Sequence, residues 1–253
     1  MKRTGDIANR TSSTVLEPGD RISLARPRKV ASLANLVACP VHVEVDFARA
    51  ALVLVDMQND FCHPDGWFAR TGVDVSYANQ IVPHLQPLLM SARQAEMPVV
   101  HLHWGVREDC LDMFPGHLAF SQRFGHRTGL GQTPPGGVGP ALVQGSWGAQ
   151  SISALSPEDT DIVVSKDRFS GFWNNPLDAI LRRLDVTTLF FAGINTDRCV
   201  MATLQDASFL GYDVVLLEDA VATPSPPAVE QAALTLIREL YGFTCMTRDF
   251  IGR

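Results

Sequence analysis

The chain has 253 residues, 46% of them apolar and 19% charged, with a formal net charge of −6. That is ordinary globular composition for one large or two small domains, and it excludes wholesale disorder and fibrous classes. No apolar run approaches the roughly 20 residues of a membrane span, and the five Cys residues have no close pairing, so they read as reduced thiols rather than a disulfide framework.

The start, Met1-Lys2-Arg3-Thr4-Gly5-Asp6, has no apolar core behind it, so the expectation is a cytoplasmic protein with no secretory signal. Residues 1–30 hold seven Lys/Arg against three acids, +4, which leaves −10 on the other 223 residues. That basic stretch has no aromatic residue to stack on bases and no dense cluster, so neither nucleic acid nor membrane is expected as a partner. Residues 1–45 read as an extension, a tail or an arm laid on a neighbouring subunit, and residues 46–253 as the folded domain.

Residues 41–45 alternate in polarity and predict a short edge strand. Residues 50–55 are continuously apolar, as a strand buried on both faces should be. Residues 76–96 predict a helix with Ile81, Leu85, Leu88, Leu89 and Ala92 on one stripe and Ser76 as N-cap. Residues 98–103 predict a second buried strand. Residues 104–160 are irregular and broken at Thr133-Pro134-Pro135-Gly136-Gly137, a length more typical of a functional lid than of a plain connection. Strands follow at 162–166, 188–193, 213–217 and 243–246. Helices intervene from Asn175-Pro176, from Thr196 to Gly211, and over 226–241. Strands alternating with helices predict an α/β fold with a mostly parallel sheet, whose ligand sites lie at the carboxyl ends of the strands.

Three of those ends carry chemistry. The first gives Asp56, the second Lys166, and the third Cys199. With Thr196 as cap, Cys199 falls at about the third residue of its helix, where dipole and unpaired N–H groups favour a thiolate. Asp56 can accept the thiol proton, and Lys166 can hold Asp56 ionised. The N–H of Cys199, with another from the turn before it, can form an oxyanion hole. This is equipment for acyl transfer through a covalent thioester or thiocarbamate.

The runs Leu54-Val55-Asp56-Met57-Gln58-Asn59-Asp60-Phe61, Gly193-Ile194-Asn195-Thr196-Asp197-Arg198-Cys199-Val200 and Leu217-Glu218-Asp219-Ala220, with the order Asp, Lys, Cys, resemble the isochorismatase-like cysteine hydrolases over about four-fifths of the chain. The resemblance implies a three-layer sandwich around a central parallel sheet of about six strands. It implies Asp56, Lys166 and Cys199 as the catalytic triad, a cis peptide at Ile194–Asn195, and an oxyanion hole made by the N–H groups of Asn195 and Cys199. Gly145-Ser146-Trp147 and the run from Arg168 to Asp178 look like the ureidoacrylate amidohydrolases, with biuret and N-carbamoyl amide hydrolases as near relatives. The implied reaction is loss of ammonia from a ureido or carbamoyl amide and hydrolysis of the acyl-enzyme to a carbamate. A homo-oligomer, dimer or tetramer, is expected.

For the pocket, Phe61, Trp67, Phe172 and Trp173 are candidate aromatics, with Phe61 and Phe172 favoured. His103, Ser170 and Asn174 are the candidate readers of the substrate's polar end. His101 and His103 share one side of a strand, the i, i+2 relation, but no third ligand accompanies them, so neither metal nor other cofactor is expected. Cys62 reads as a wall or bystander, and Cys39, Cys110 and Cys245 as structural or surface thiols. The rival readings are a nicotinamidase-like or other simple amide hydrolase, a non-catalytic binding module, and a vinyl-ether hydrolase without a nucleophilic Cys, which Cys199 disfavours.

Overall fold

The computed structural model describes residues 29–124 and 128–252. The expectation of a tail over residues 1–28 lies outside them. In chain order the elements are β1 (Leu33–Leu36), β2 (Ala38–Cys39), β3 (Val43–Asp46), β4 (Ala50–Val55), α1 (Asn59–Cys62), α2 (Trp67–Arg70), α3 (Ser76–Asn79), α4 (Val82–Gln94), β5 (Val99–Trp104), α5 (Pro115–Phe124) and β6 (Ile162–Lys166). There follow α6 (Leu177–Arg183), β7 (Thr188–Ile194), α7 (Met201–Phe209), β8 (Asp213–Ala222), α8 (Pro227–Leu236), β9 (Phe243–Cys245) and α9 (Thr247–Ile251).

The main sheet runs β2-β9-β8-β7-β4-β5-β6. All its pairings are parallel except that of β2 with β9. It therefore has seven strands where about six were expected, the additional one being the two-residue β2. The strand expected over residues 41–45 is β3, and it joins no main-sheet edge; it pairs antiparallel with β1 in a separate two-stranded sheet. Central β4 is buried at every position, as its apolar run requires. The chain travels from β4 to β6 in one direction, then crosses back to β7 and continues to β9 in the other. Right-handed crossovers therefore place α4 and the helices α6 to α8 on opposite faces.

The stripe Ile81, Leu85, Leu88, Leu89 and Ala92 is buried as expected. Leu85, Leu88, Leu89 and Ala92 lie in α4, and Ile81 is its N-cap residue. The helix expected from residue 76 is instead divided: α3 is a separate turn, and α4 starts anew with Pro83 in its first turn, where a missing N–H costs nothing. The cap position of α6 is Pro176, one residue later than expected, and Asn175 Oδ1 still accepts the Leu177 N–H at 3.0 Å. At the described start, Lys29 Nζ donates to the carbonyls of Ala48 and Leu184, both at 2.8 Å.

Candidate active site

The reversal of strand order falls between β4 and β7, and the crevice beyond their carboxyl ends is the expected ligand position in such a sheet. Asp56 follows β4 in the left-handed region, φ 53°, and its N–H donates to Leu102 O at 2.8 Å. That backbone turn takes the side chain out of the strand's alternation and into the crevice. Beside it, Gly193 in β7 has φ 108°, and an added Cβ would lie 2.2 Å from Val55 O. Only glycine lets β7 pass this close to β4 at the site. The Ile194–Asn195 peptide is cis, and the chain then enters a single π-helical turn, Thr196–Val200, that carries Cys199.

Lys166 comes from edge strand β6, two strands away from β4. Its ammonium nevertheless lies 2.9 Å from Asp56 Oδ2. It crosses above Trp104, the last residue of β5 and its register partner, with Nζ 4.2 Å from the ring centroid. Asp56 and Lys166 are each 1% exposed. An ion pair this dry is costly to form and more costly to break on one side, so it persists where its neighbours hold both partners.

Burial pushes the Asp56 carboxyl above the usual range, and the adjacent Lys166 charge only partly opposes it. Burial also pushes the Cys199 thiol up, the Asp56 charge adds to that, and Lys166 works against both. The resting thiol therefore keeps its proton. This corrects the expectation of a dipole-stabilised thiolate. The cap position is Asn195, which makes no side-chain cap bond, and the Thr196 hydroxyl donates instead to Glu230 Oε1 at 2.9 Å. Desolvation beside a carboxylate outweighs whatever the π-helical turn contributes.

Asp56, Cys199, Asn195 and Ile194 line one narrow cavity of about 50 Å³, room for a few water molecules or a small planar group. Its walls are aromatic: Phe61, Trp67, Phe68, Trp104 and Phe169, with His117. Besides the Asp56 carboxylate oxygens, of which Oδ2 is in the ion pair with Lys166, the wall residues hold two further buried polar atoms with no hydrogen-bond partner in the structure, the Asn195 side-chain Oδ1, an acceptor, and Trp104 Nε1–H, a donor. The Arg198 side chain also lines the cavity; its Nη2 donates to Ser225 Oγ at 3.2 Å.

Of the expected pocket residues, Phe61 and Trp67 are on this wall and the others are not. His103 lines a different cleft, with Gln144, Gln150 and Ser165, and its Nε2 meets Ser151 Oγ at 2.8 Å. Alternation along β5 sends its side chain to the opposite face from Trp104. Ser170 is buried, accepting the Phe172 N–H at 3.2 Å. Phe172 packs on Tyr212, ring centroids 5.9 Å apart. Asn174 is exposed with φ 57°, and Trp173 is exposed, its indole N–H donating to Asp206. Leu130, Leu142, His117 and Ser121 reach the wall from the irregular 104–160 segment, where no periodicity marks them.

The loops that form the wall are tied by two buried polar side chains. Gln58 donates from Nε2 to Trp104 O and Ala149 O and accepts the Trp104 N–H on Oε1, all at 2.7 Å. Asp60 accepts the N–H groups of Trp67 at 2.9 Å and Leu142 at 2.7 Å. His101 lies 3.1 Å from Asp161 Oδ2, which also pairs with Arg93, so it serves a structural cluster. Among the described residues, no three His, Cys, Asp or Glu side chains are grouped to hold a metal ion. Cys62 is buried, its thiol pushed up by burial and by Asp56, and it is not on the cavity wall.

A family model described as the isochorismatase domain matches residues 50–249. Among solved structures, a cysteine hydrolase from Pseudomonas syringae pv. phaseolicola 1448A is similar at 29% identity and TM-score 0.69, over 82% of this chain and 93% of that one. N-carbamoylsarcosine amidase from Thermoplasma acidophilum is similar at 25% identity and TM-score 0.60, over 79% and 96%. A nicotinamidase from Bacillus subtilis shares the fold at 23% identity and TM-score 0.61, over 78% and 99%.

Proposed function

The chain belongs to the isochorismatase family, and from that membership we propose that it is a cysteine amidohydrolase cleaving the C–N bond of a small, planar ureido or carbamoyl amide. The observation that carries this reading is the dry Asp56–Lys166 pair against the Cys199 thiol at the wall of one small cavity.

In this reading Asp56 takes the thiol proton as Sγ attacks the carbonyl carbon, so the thiolate forms only as it is used. The N–H groups of Asn195 and Cys199 stabilise the tetrahedral oxyanion. Asp56 then gives the proton to the leaving nitrogen, the C–N bond breaks, and ammonia departs. Water attacks the acyl-enzyme, Asp56 takes its proton and returns it to sulfur, and the acid leaves. With an R–NH–CO–NH2 substrate the intermediate is a thiocarbamate and the product a carbamate, which decays to the amine and CO2. Lys166, paired with Asp56 at 2.9 Å, favours the carboxylate form of Asp56 between steps.

Two features support a ureido or amide end. Asn195 Oδ1 offers an acceptor for a substrate N–H, and Trp104 Nε1–H offers a donor for a carbonyl. The solved structure of an N-carbamoyl amidase among the similar proteins points the same way. The aromatic wall equally favours a second reading, a ring-bearing simple amide. The test is ammonia release across ureidoacrylate, biuret, N-carbamoyl amino acids, nicotinamide and matched simple amides. A site that pairs buried polar groups rejects analogues lacking the partner by up to ~10⁴-fold, so the expected result is a clear advantage for ureido compounds. Equal constants for matched pairs overturn the ureido assignment; no ammonia from any amide overturns the amidohydrolase.

A further inference from the structure

We propose that Trp104 is a positioning residue for this reaction, its ring face holding the Lys166 ammonium on the Asp56 carboxylate. The inference rests on the reading of Asp56, Lys166 and Cys199 as the reacting groups.

The sheet itself sets the problem. Asp56 ends β4 and Lys166 ends β6, so β5 stands between them and the two backbones are about 10 Å apart, two strand spacings. Lys166 must reach over the end of β5, and the residue there is Trp104, paired with Lys166 in register. An ammonium has three N–H groups. Here it faces Asp56 Oδ2 at 2.9 Å, the carbonyl of Arg168 at 3.2 Å and the indole ring at 4.2 Å. With Lys166 at 1% exposure, water does not share that work; the Cys199 thiol also lies within hydrogen-bond reach of the ammonium, and the ring's negative face adds its own stabilisation.

The ring is itself fixed. Gln58 clamps both backbone polar groups of Trp104. His117 stacks on the ring at 5.6 Å and Phe169 meets it edge-on at 5.4 Å. A saturated side chain of similar bulk would fill the space but remove the ring face that the ammonium rests on. On the Asp56 side stand Cys199, Cys62 and Tyr77, each pushed up by burial and so uncharged near neutral pH, and Arg198 lines the same cavity; on the Lys166 side stand His103 and His117. Burial lowers both histidines, so near neutral pH neither adds a positive charge.

The experiment measures kcat, KM and the pH profile of kcat/KM for wild type, Trp104→Phe, Trp104→Leu and Lys166→Ala. In Trp104→Leu kcat should fall about 30-fold, the scale of a desolvated cation–π contact. The acid limb of the profile should move up, because a less firmly held Lys166 charge opposes the burial of the Asp56 carboxyl less. Trp104→Phe keeps a ring and should shift that limb less. A Trp104→Leu enzyme within about threefold of wild-type kcat overturns the proposal, as does a slower one whose acid limb has not moved. If Trp104→Leu does not fold, the acid limbs of Trp104→Phe and Trp104→Tyr decide in the same way. Wild-type rates in Lys166→Ala would instead overturn the Asp56–Lys166–Cys199 reading, whatever Trp104 does.

Discussion

Cys199 keeps its proton at rest because burial and the Asp56 charge outweigh the pull of Lys166. The base must therefore act in the attacking step itself, so Asp56→Asn should lower the acylation rate at least ~10²-fold. With Lys166→Ala, the combined loss should be smaller than the product of the single losses, because the two act as one unit. Rapid-quench measurement of ammonia release checks this, and multiplicative losses would contradict it. His103 supplies a prediction of a different kind. Burial holds its pKa down to about 4, with His101 and Lys166 adding to the shift. Its folded pKa lies below the unfolded value of about 6.5, so between the two the unfolded chain binds more protons. The stability associated with His103 is therefore complete above pH ~6.5 and is lost as pH falls towards 4, by up to about 3 kcal/mol. Urea titrations from pH 7.5 to 4.5 should show that slope in wild type and a flatter one in His103→Gln. At this scale the meeting of Asp56, Lys166 and Cys199 was legible because Asp56 follows one apolar strand run, Lys166 ends another and Cys199 lies in the turn after a third. The pocket's readers were not: which way His103 points depends on the face of β5 presented to the crevice, and the irregular 104–160 segment carries no period to show it.

At the scale of elements, the site depends on close backbone passages. Gly193 has φ 108°, with an added Cβ 2.2 Å from Val55 O. Gly193→Ala meets both a backbone conformation that a side chain strains and an occupied space. It should destabilise the protein by more than ~1 kcal/mol and shift the Asp56–Cys199 geometry. Thermal unfolding and kcat should fall together; an unchanged melting temperature would contradict this. Gly148 is a milder case, since its added Cβ would lie 2.0 Å from Asp60 Oδ2. Gly148→Ala should displace the carboxylate that anchors Trp67 and Leu142, raising KM more than it lowers kcat. The sequence period found the buried stripe of α4 but not the break between α3 and α4, because the stripe begins only at Ile81 and no residue of it marks the gap. The run Leu217-Glu218-Asp219-Ala220, one of those that carried the family resemblance, proves structural. Glu218 accepts from Arg238 at 2.6 Å, and Asp219 accepts the Thr247 N–H and hydroxyl, both at 2.7 Å. It ties β8 to the last helix.

Over the whole molecule, strand order decides where chemistry gathers. The reversal between β4 and β7 opens one crevice, and three side chains distant in sequence meet there. The sequence reading set residues 1–45 apart from the domain, yet β2 within that segment covers the edge of β9, and Lys29 fastens two loop carbonyls. Local pattern hides this because a two-residue antiparallel strand leaves no periodic signal. Deleting residues 1–40 should expose the β9 edge to other chains. The melting temperature should fall and light scattering should show association; an equally stable, non-associating truncation would contradict that role for the segment.

The central claim is that Cys199 becomes acylated. An acid-quenched reaction of wild-type protein with a turned-over amide, digested and read by mass spectrometry, tests it most directly. The account predicts an adduct of the substrate's mass less ammonia on the peptide carrying Cys199, absent from Cys199→Ser, which should be folded but inactive. An adduct on Cys62, or full turnover by Cys199→Ser, would contradict it.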